Sequence, residues 1–243
     1  MALVSDASTR RATPIVALDV GTADEAMALA MRLGDSCRFY KVGSELFTAA
    51  GPSVVRALHD QGAQVFLDLK FHDIPNTVAG AVRSAASLGV RLLTVHASGG
   101  SAMLRAAQEA ASAAGGECQL LAVTVLTSLD APALASAWGR DVVEVEREVV
   151  RLAGEAADAG LHGVVCSGAE AGVVRAAYGD RLALLVPGIR LAGGSSHDQR
   201  RVMTPAAAQA AGARYLILGR AVTAAADPRR AMETVLAELA TSI

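Results

Sequence analysis

A short run of charged residues, Asp68-Leu69-Lys70-Phe71-His72-Asp73, is the part of the sequence best suited to chemistry. Residues two positions apart on a β-strand share a face. A strand through this run therefore points the Asp68 carboxylate and the Lys70 amine the same way if Leu69 packs on the other side. Pairing opposite charges inside a protein requires their desolvation, and such pairs are typical of functional sites. There, fixed charges and proton transfer accelerate reactions. The run predicts a site built on an amine flanked by carboxylates.

Asp19 and Lys41 add two further charges near the ends of other apolar runs. Taken alone, this pair has two interpretations: a buried ion pair that fixes strand register, or a part of the same site. Once Lys41 is joined to Asp68, Lys70 and Asp73, the functional interpretation is favoured. Structural ion pairs rarely justify the desolvation of so many charges.

The C-terminal half contains a second group of candidates. The segment 187–190, Pro-Gly-Ile-Arg, precedes a glycine- and serine-rich stretch and then Gln199, a composition typical of a mobile loop that can fold over a ligand. Gly219 and Arg220 follow the last apolar run. Phosphate sites in barrels often form from the loops after strands seven and eight, and backbone N–H groups with a guanidinium from Arg190 or Arg220 suit a phosphate dianion.

These residues need strands to position them, and short apolar runs alternate with alanine-rich segments along the whole chain. We predict strands at residues 15–20, 39–43, 64–70, 92–97, 120–126, 163–167, 183–187 and 215–218. We predict helices at residues 23–33, 52–61, 75–88, 100–114, 143–159, 169–178, 204–211 and 228–240.

Strand followed by helix, about eight times over, predicts an α/β fold with a parallel sheet. Eight such units can close into a single-domain (β/α)₈ TIM barrel over residues 14–243, after an N-terminal tail at residues 1–13. In such a barrel, catalytic residues collect at the C-terminal ends of the strands, where the charged residues fall. The alternative is an open doubly wound sheet. It is disfavoured because the turn Asp19–Thr22 lacks the G-x-G-x-x-G pattern.

Composition excludes several classes of partner. The net charge is −2 and aromatic residues make up 3%, so neither nucleic acid nor an anionic membrane surface is expected. The longest mostly apolar uncharged stretch, residues 119–129, is too short to span a bilayer, and residues 1–13 lack the apolar segment of a secretory signal. We expect a soluble cytoplasmic protein whose cysteines are buried and reduced; they are Cys37, Cys118 and Cys166.

The five histidines show no zinc-ligand spacing, so no metal site is expected. We expect His72 to face solvent or to support the site. We expect His96, at the end of the fourth apolar run, to make a supporting hydrogen bond. Trp138 lies in a polar segment and is interpreted as local packing.

The segment 65–78, VFLDLKFHDIPNTV, resembles the signature of the orotidine 5′-phosphate decarboxylase family. Shorter segments that resemble this family follow in its order over nearly the whole chain: 17–19, 41–43, 94–98, 125–128, 164–167, 187–190, 198–199 and 218–220. The first dozen residues and the stretch near 131–141 carry no family motif, and Ala221 stands where the family pattern has proline.

The resemblance implies a (β/α)₈ homodimer that converts orotidine 5′-monophosphate to uridine 5′-monophosphate and CO₂ without metal or organic cofactor, the last step of de novo pyrimidine biosynthesis. It implies that Lys70 is the proton donor and that Lys41, Asp68 and Asp73 complete the charged network. Asp73 and Ile74 would reach into the site of the partner subunit.

The resemblance also assigns the substrate-binding residues. Asp19 and Lys41 would hold the ribose hydroxyls, Thr77 would lie by the ribose and Thr127 by the pyrimidine. The phosphate would be bound by four residues, Arg190, Gln199, Gly219 and Arg220. Asp68, Ile74 and Pro187 complete the implied substrate-binding set.

Two rival functions remain open on the sequence. One is a magnesium-dependent sugar-phosphate decarboxylase, aldolase or epimerase on a similar barrel, since such enzymes share the D-x-K-x-x-D run. They need oxygen ligands, typically a carboxylate on the second strand, and Lys41 at that position would repel Mg²⁺. The other is a non-catalytic nucleotide-binding or assembly protein of the same fold, which the intact charged set argues against.

Overall fold

The computed structural model describes residues 11–115, 117–191 and 203–241. In this part of the chain, eight parallel strands pair in sequence order and close into a barrel. The strands are β1 (Thr13–Ala17), β2 (Phe39–Gly43), β3 (Gln64–Phe71), β4 (Leu92–His96), β5 (Gln119–Val123), β6 (Gly163–Val165), β7 (Ala183–Val186) and β8 (Ala213–Leu218). The predicted single-domain (β/α)₈ barrel is confirmed, and the open-sheet alternative is wrong.

Helices follow the strands and surround the barrel. They are α1 (Ala23–Leu33), α2 (Ser44–Ala50), α3 (Pro52–Asp60), α4 (Pro75–Ala86), α5 (Gly100–Ala113), α6 (Ala131–Trp138), α7 (Val145–Asp158), α8 (Gly168–Tyr178), α9 (Pro205–Ala210), α10 (Arg220–Thr223) and α11 (Pro228–Thr241). Among the described residues, no helix combines the length and apolar character needed to cross a membrane.

Five strands end earlier than predicted, β1 and β5 by three residues, and three helices, α2, α6 and α10, were not predicted at all. β1 runs from Thr13 only to Ala17 and β5 stops at Val123, so the chain after each strand turns away into a loop. Trp138 closes α6 rather than lying in a polar loop. The α6 helix forms because the Asp130 side chain accepts a hydrogen bond from Ala133 N at 3.1 Å and Gly139 ends it in the left-handed conformation.

The interior of the barrel is filled by one cluster of apolar side chains, separate from the larger core between strands and helices. Its members are Ile15, Ala17, Phe39, Phe66, Leu92, Leu121, Leu185, Tyr215 and Ile217. Side chains alternate along a strand, so the residue two positions after each inward residue also points into the barrel. Two positions after Phe39, Phe66 and Leu92 stand Lys41, Asp68 and Thr94. The fold therefore places a polar layer above the apolar one, at the C-terminal ends of the strands.

The three cysteines are buried and free, as the sequence predicted. Burial raises the pKa of the Cys118 thiol to about 11 and that of Cys166 to about 12, so both remain protonated near neutral pH. None of them is suited to act as a nucleophile.

Candidate active site

Four charged side chains form a continuous chain of alternating sign at the C-terminal end of the barrel. The Lys41 amine donates to Asp19 Oδ1 at 2.7 Å, and its Nζ lies 3.8 Å from Asp68 Oδ2. The Lys70 amine donates to the same Asp68 oxygen at 2.7 Å. The structure thus brings together Asp19, Lys41, Asp68 and Lys70, and Asp68 lies between the two amines.

The charged chain is buried in its middle and open at both ends, and at one end the Asp19 side chain is 62% exposed. The Lys41 and Asp68 side chains are 11% and 14% exposed, whereas the Lys70 side chain is 37% exposed. A carboxylate this far from water needs its cationic partners, and both lie within ion-pair distance. Lys70 is the member that combines a fixed carboxylate partner with access from the barrel mouth.

Lys70 reaches this position through an irregular backbone. It has φ of 51°, and among the described residues it is the one non-glycine with positive φ. A left-handed conformation at such a residue costs of order 1–3 kcal/mol and is typically held in place at functional sites. The prediction that Asp68 and Lys70 converge holds. That prediction assumed a regular strand, and this assumption is wrong, because the register of β3 against β4 shifts between Leu67 and Phe71. Leu69 packs against the outer core, as expected.

Gly43 leaves room for the Lys41 amine. A Cβ at position 43 would stand 2.9 Å from Lys41 Nζ and 3.6 Å from Asp19 Oδ1. Any side chain there would push the amine away from its carboxylate. This spatial role for a glycine two residues after Lys41 was not recognised from the sequence.

His96 and His72 lie beside the charged chain, with ring centroids 5.4 Å apart. The pKa of His96 is lowered, first by burial and then by the positive charges of His72 and Lys70, against the opposing effect of Asp68. His96 is therefore neutral near pH 7 and adds no positive charge to the site. In the described part of the chain its side chain makes no hydrogen bond, so the predicted supporting hydrogen bond is absent. His72 is exposed, as expected.

Asp73, Ile74 and Thr77 lie where β3 passes into α4, and all three are exposed. The Asp73 carboxylate accepts a hydrogen bond from Ile74 N at 2.6 Å. Ile74 is one of the large apolar side chains that the chain leaves exposed, at 67%. Within one chain, the structure does not bring Asp73 to Lys70.

The candidates after β5, β7 and β8 lie at the same end of the barrel as Lys70. Thr127 is partly exposed in the loop after β5, and Pro187 directly follows β7. Arg190 is buried, and its backbone N–H donates to Met203 O at 2.9 Å. Gly219 precedes α10, and Arg220 is exposed at the first position of that helix. Gln199 lies outside the described residues.

No cluster of three or more histidine, cysteine or acidic side chains suited to a metal ion occurs in residues 11–115, 117–191 and 203–241. The ion pairs around the two carboxylates at the barrel mouth agree with this finding. The carboxylates of Asp19 and Asp68 are each paired with an amine, Lys41 and Lys70 respectively, at 2.7 Å, and these positive charges would repel a divalent cation.

Two features that the sequence interpretation overlooked bear on the site. Thr94, two positions after the inward-facing Leu92, bonds to Asp68, but a threonine in an apolar strand is also a common strand former, so its type gave no signal. The second is the use of lysine. The chain contains only two lysines, Lys41 and Lys70, among 22 basic residues, and both lie in this site.

Comparison with known proteins gives matches over nearly the full chain. Residues 13–235 match the family model described as orotidine 5′-phosphate decarboxylase / HUMPS family. The orotidine 5′-phosphate decarboxylase of Halorhodospira halophila is 52% identical over 227 residues, covering 93% of this chain and 95% of that protein. The protein of the same name from Chromobacterium violaceum is 49% identical over 235 residues, covering 96% and 94%. The crystal structure of orotidine 5′-phosphate decarboxylase from Lactobacillus acidophilus has a TM-score of 0.84 at 37% identity, covering 95% of this chain and 99% of that one.

Proposed function

The chain belongs to the orotidine 5′-phosphate decarboxylase / HUMPS family, and we propose that Lys70 is the proton donor with which it converts orotidine 5′-monophosphate to uridine 5′-monophosphate and CO₂. The activity, a step of pyrimidine biosynthesis, is the one for which relatives at about 50% identity are named. Those relatives give no support to the magnesium-dependent sugar-phosphate alternative. The observation that carries the role of Lys70 is its amine, bonded to Asp68 at 2.7 Å and open to the barrel mouth.

Loss of CO₂ leaves an electron pair on C6 of the pyrimidine, in the plane of the ring and poorly delocalised. The bond from C6 to the carboxylate breaks, CO₂ departs, and a proton from the Lys70 ammonium forms the new C6–H bond. Before the transfer, the same ammonium stabilises the developing negative charge. A fixed charge acts strongly in a site that excludes water and needs no reorganisation during the reaction. Lys70 then regains a proton from solvent.

Asp68 has two functions in this proposal. Its carboxylate balances the positive charge of Lys70 and fixes the direction of the amine, because the same oxygen is 2.7 Å from Lys70 Nζ and 3.8 Å from Lys41 Nζ. It also presents negative charge toward the substrate carboxylate, which favours departure of CO₂. Lys41 and Asp19 anchor this arrangement and offer donor and acceptor atoms to the ribose hydroxyls.

We propose a homodimer in which Asp73 and Ile74 complete the site of the partner subunit. The exposure of both residues beside the barrel mouth supports this, because neither side chain is covered by its own chain and both are open to a second subunit. Thr77, one turn further along α4, would then approach the ribose of the partner's substrate.

The phosphate site is proposed at the loops after β7 and β8. β7 and β8 are neighbours in the barrel, so Arg190 and Arg220 follow adjacent strands. Gly219 and Gln199 complete the proposed set, and Pro187 and Thr127 line the approach to the pyrimidine. Phosphate lies far from C6, so its binding energy serves to hold the nucleotide in the reactive position.

The reducing environment of the cytoplasm suits this protein, and we propose it as the location. Its three cysteines are free and buried, which is the state expected where thiols are kept reduced.

A direct assay of the proposed function follows the ultraviolet absorbance change as orotidine monophosphate is consumed. The purified protein is expected to convert the substrate completely and to keep its full rate after dialysis against EDTA, because the charges are supplied by side chains. Failure to consume the substrate would contradict the function. A rate that EDTA abolishes and Mg²⁺ restores would support the magnesium-dependent alternative.

Arg220→Ala is expected to raise KM by about 10- to 100-fold and to change kcat by less than about fivefold, since a phosphate contact contributes chiefly to binding. Steady-state kinetics separate the two constants. Arg181→Ala is the matched control, because Arg181 is also exposed but precedes β7 and pairs with Asp158 at the other end of the barrel. An unchanged KM in the Arg220 variant would remove Arg220 from the phosphate site.

A further inference from the structure

We propose that Thr94 is a positioning residue for Lys70, acting through one hydroxyl that bonds both to Asp68 and to the Lys70 backbone. The Thr94 hydroxyl donates to Asp68 Oδ1 at 2.9 Å, and its oxygen accepts from Lys70 N at 2.9 Å. This inference rests on the proposed role of Lys70. It adds that the location of the amine is set from the neighbouring strand.

The position of Thr94 in the sheet explains why a side chain performs this task. Leu67 pairs with Leu93 and Phe71 pairs with Val95. Between these two pairs β3 advances by four residues, whereas β4 advances by only two. Thr94 is the β4 residue opposite the extra length of β3. Regular pairing is interrupted there, and the Thr94 hydroxyl supplies an acceptor for the Lys70 backbone N–H.

The extra length of β3 is also where the backbone is strained. Lys70 has φ of 51°, a conformation a lysine adopts only when its surroundings impose it. The hydrogen bond from Lys70 N to Thr94 acts on this same residue. Thr94 therefore stabilises the backbone conformation from which the Lys70 side chain starts.

The second bond of the hydroxyl acts at the far end of the Lys70 side chain. One oxygen of Asp68 accepts from the Lys70 amine and the other accepts from Thr94, so the carboxylate plane is fixed by both. Thr94 is 0% exposed, so its two hydrogen bonds are shielded from solvent. Both ends of Lys70, its backbone N–H and its amine, are thus tied to one buried group.

Removal of the hydroxyl leaves the Lys70 N–H and one Asp68 oxygen without a partner in a buried place. Each can recover a partner only by moving, and either movement displaces the ammonium from the reacting carbon. The loss should fall on the chemical step, because the amine acts on charge that exists only in the transition state. Thr94 does not need to touch the nucleotide for this effect.

The test compares Thr94→Val, which keeps the shape and removes the hydroxyl, with Thr94→Ser, which keeps the hydroxyl. Thr94→Val is expected to lower kcat about 10- to 100-fold, the rate equivalent of losing a hydrogen bond to a charged group, with KM changed less than about threefold. Thr94→Ser should stay within about threefold of the parent in both constants. If the valine variant fails to fold, Thr94→Ala carries the same expectation.

Thr124→Val is the matched control. Thr124 is also a buried threonine, 3% exposed, beside the end of a barrel strand, but its hydroxyl donates to Val165 O at 2.8 Å and touches none of the charged groups. It should lose thermal stability comparably to Thr94→Val while keeping its kcat. Equal losses of kcat in the two variants would reduce Thr94 to a structural residue.

A spectroscopic readout observes the proposed bond itself. The chain has only two lysines, so a sample labelled with ¹⁵N-lysine gives two backbone amide signals. Thr94→Val should shift the Lys70 signal and speed its hydrogen exchange, while the Lys41 signal stays unchanged. A parent protein that does not decarboxylate would overturn the proposed function. An active parent whose Thr94→Val variant keeps its kcat and its Lys70 signal would overturn this inference alone.

Discussion

Lys70→Ala is expected to lower kcat by about four to seven orders of magnitude while leaving the affinity for uridine monophosphate within about tenfold. A positioned proton donor contributes roughly 10²–10⁴ in rate and a charged donor at the developing negative charge roughly 10²–10³ more. The product carries no negative charge at C6, so its binding depends little on the Lys70 amine. Single-turnover kinetics with enzyme in excess measure the chemical step, and calorimetric titration with uridine monophosphate measures binding.

Lys70→Arg separates charge from proton transfer in the same position. The guanidinium stays charged but does not give up a proton near neutral pH, so this variant should also be inactive. Loss of nucleotide affinity together with activity would indicate that Lys70→Ala disturbs the fold. Substantial decarboxylation by either variant would remove Lys70 from its proposed role and leave the family assignment intact.

Asp73→Asn is expected to lower kcat by about two to four orders of magnitude, and mixing it with Lys70→Ala is expected to restore activity. In the proposed dimer the partner subunit would cover Asp73 and pair it with Lys70. Breaking such a buried charge pair costs about 3–5 kcal/mol, which is this range when the loss falls on the transition state. In a heterodimer of the two variants, one site takes Lys70 from one chain and Asp73 from the other, both unchanged. That dimer should show about half of the parent activity, since one of two symmetric sites is intact.

The heterodimer can be isolated by giving the two variants different affinity tags and refolding them together. Each variant refolded alone, with the same tags, is the control. If Asp73 acts in its own chain, both sites of the heterodimer carry a defect and no activity returns. If the protein is a monomer in solution, no doubly tagged species forms and the shared site is excluded.

The charged residues of the segment 68–73 and the order of strands and helices could be predicted from local sequence patterns. Eight apolar runs that alternate with helical segments allow few chain topologies. In a barrel, the charged residues at the C-terminal ends of the eight strands all lie at the same end. The pairing of Asp68 with Lys70 was predicted in this way and is observed at 2.7 Å. The residues that carry the charge were identified because their types are improbable at the ends of apolar strands.

The tertiary structure decided what depends on contacts between distant parts of the chain. The bulge between Leu67 and Phe71 and the positive φ of Lys70 arise from the pairing of β3 with β4, a register that sequence periodicity does not encode. Thr94 lies 24 residues from Lys70, and only that pairing makes its hydroxyl a partner of both the backbone and Asp68. Local propensity acts over a few residues, whereas the direction of a side chain inside a closed barrel is set by the neighbouring strand. For that reason the charged groups could be identified from the sequence, but their geometry is determined by the tertiary structure.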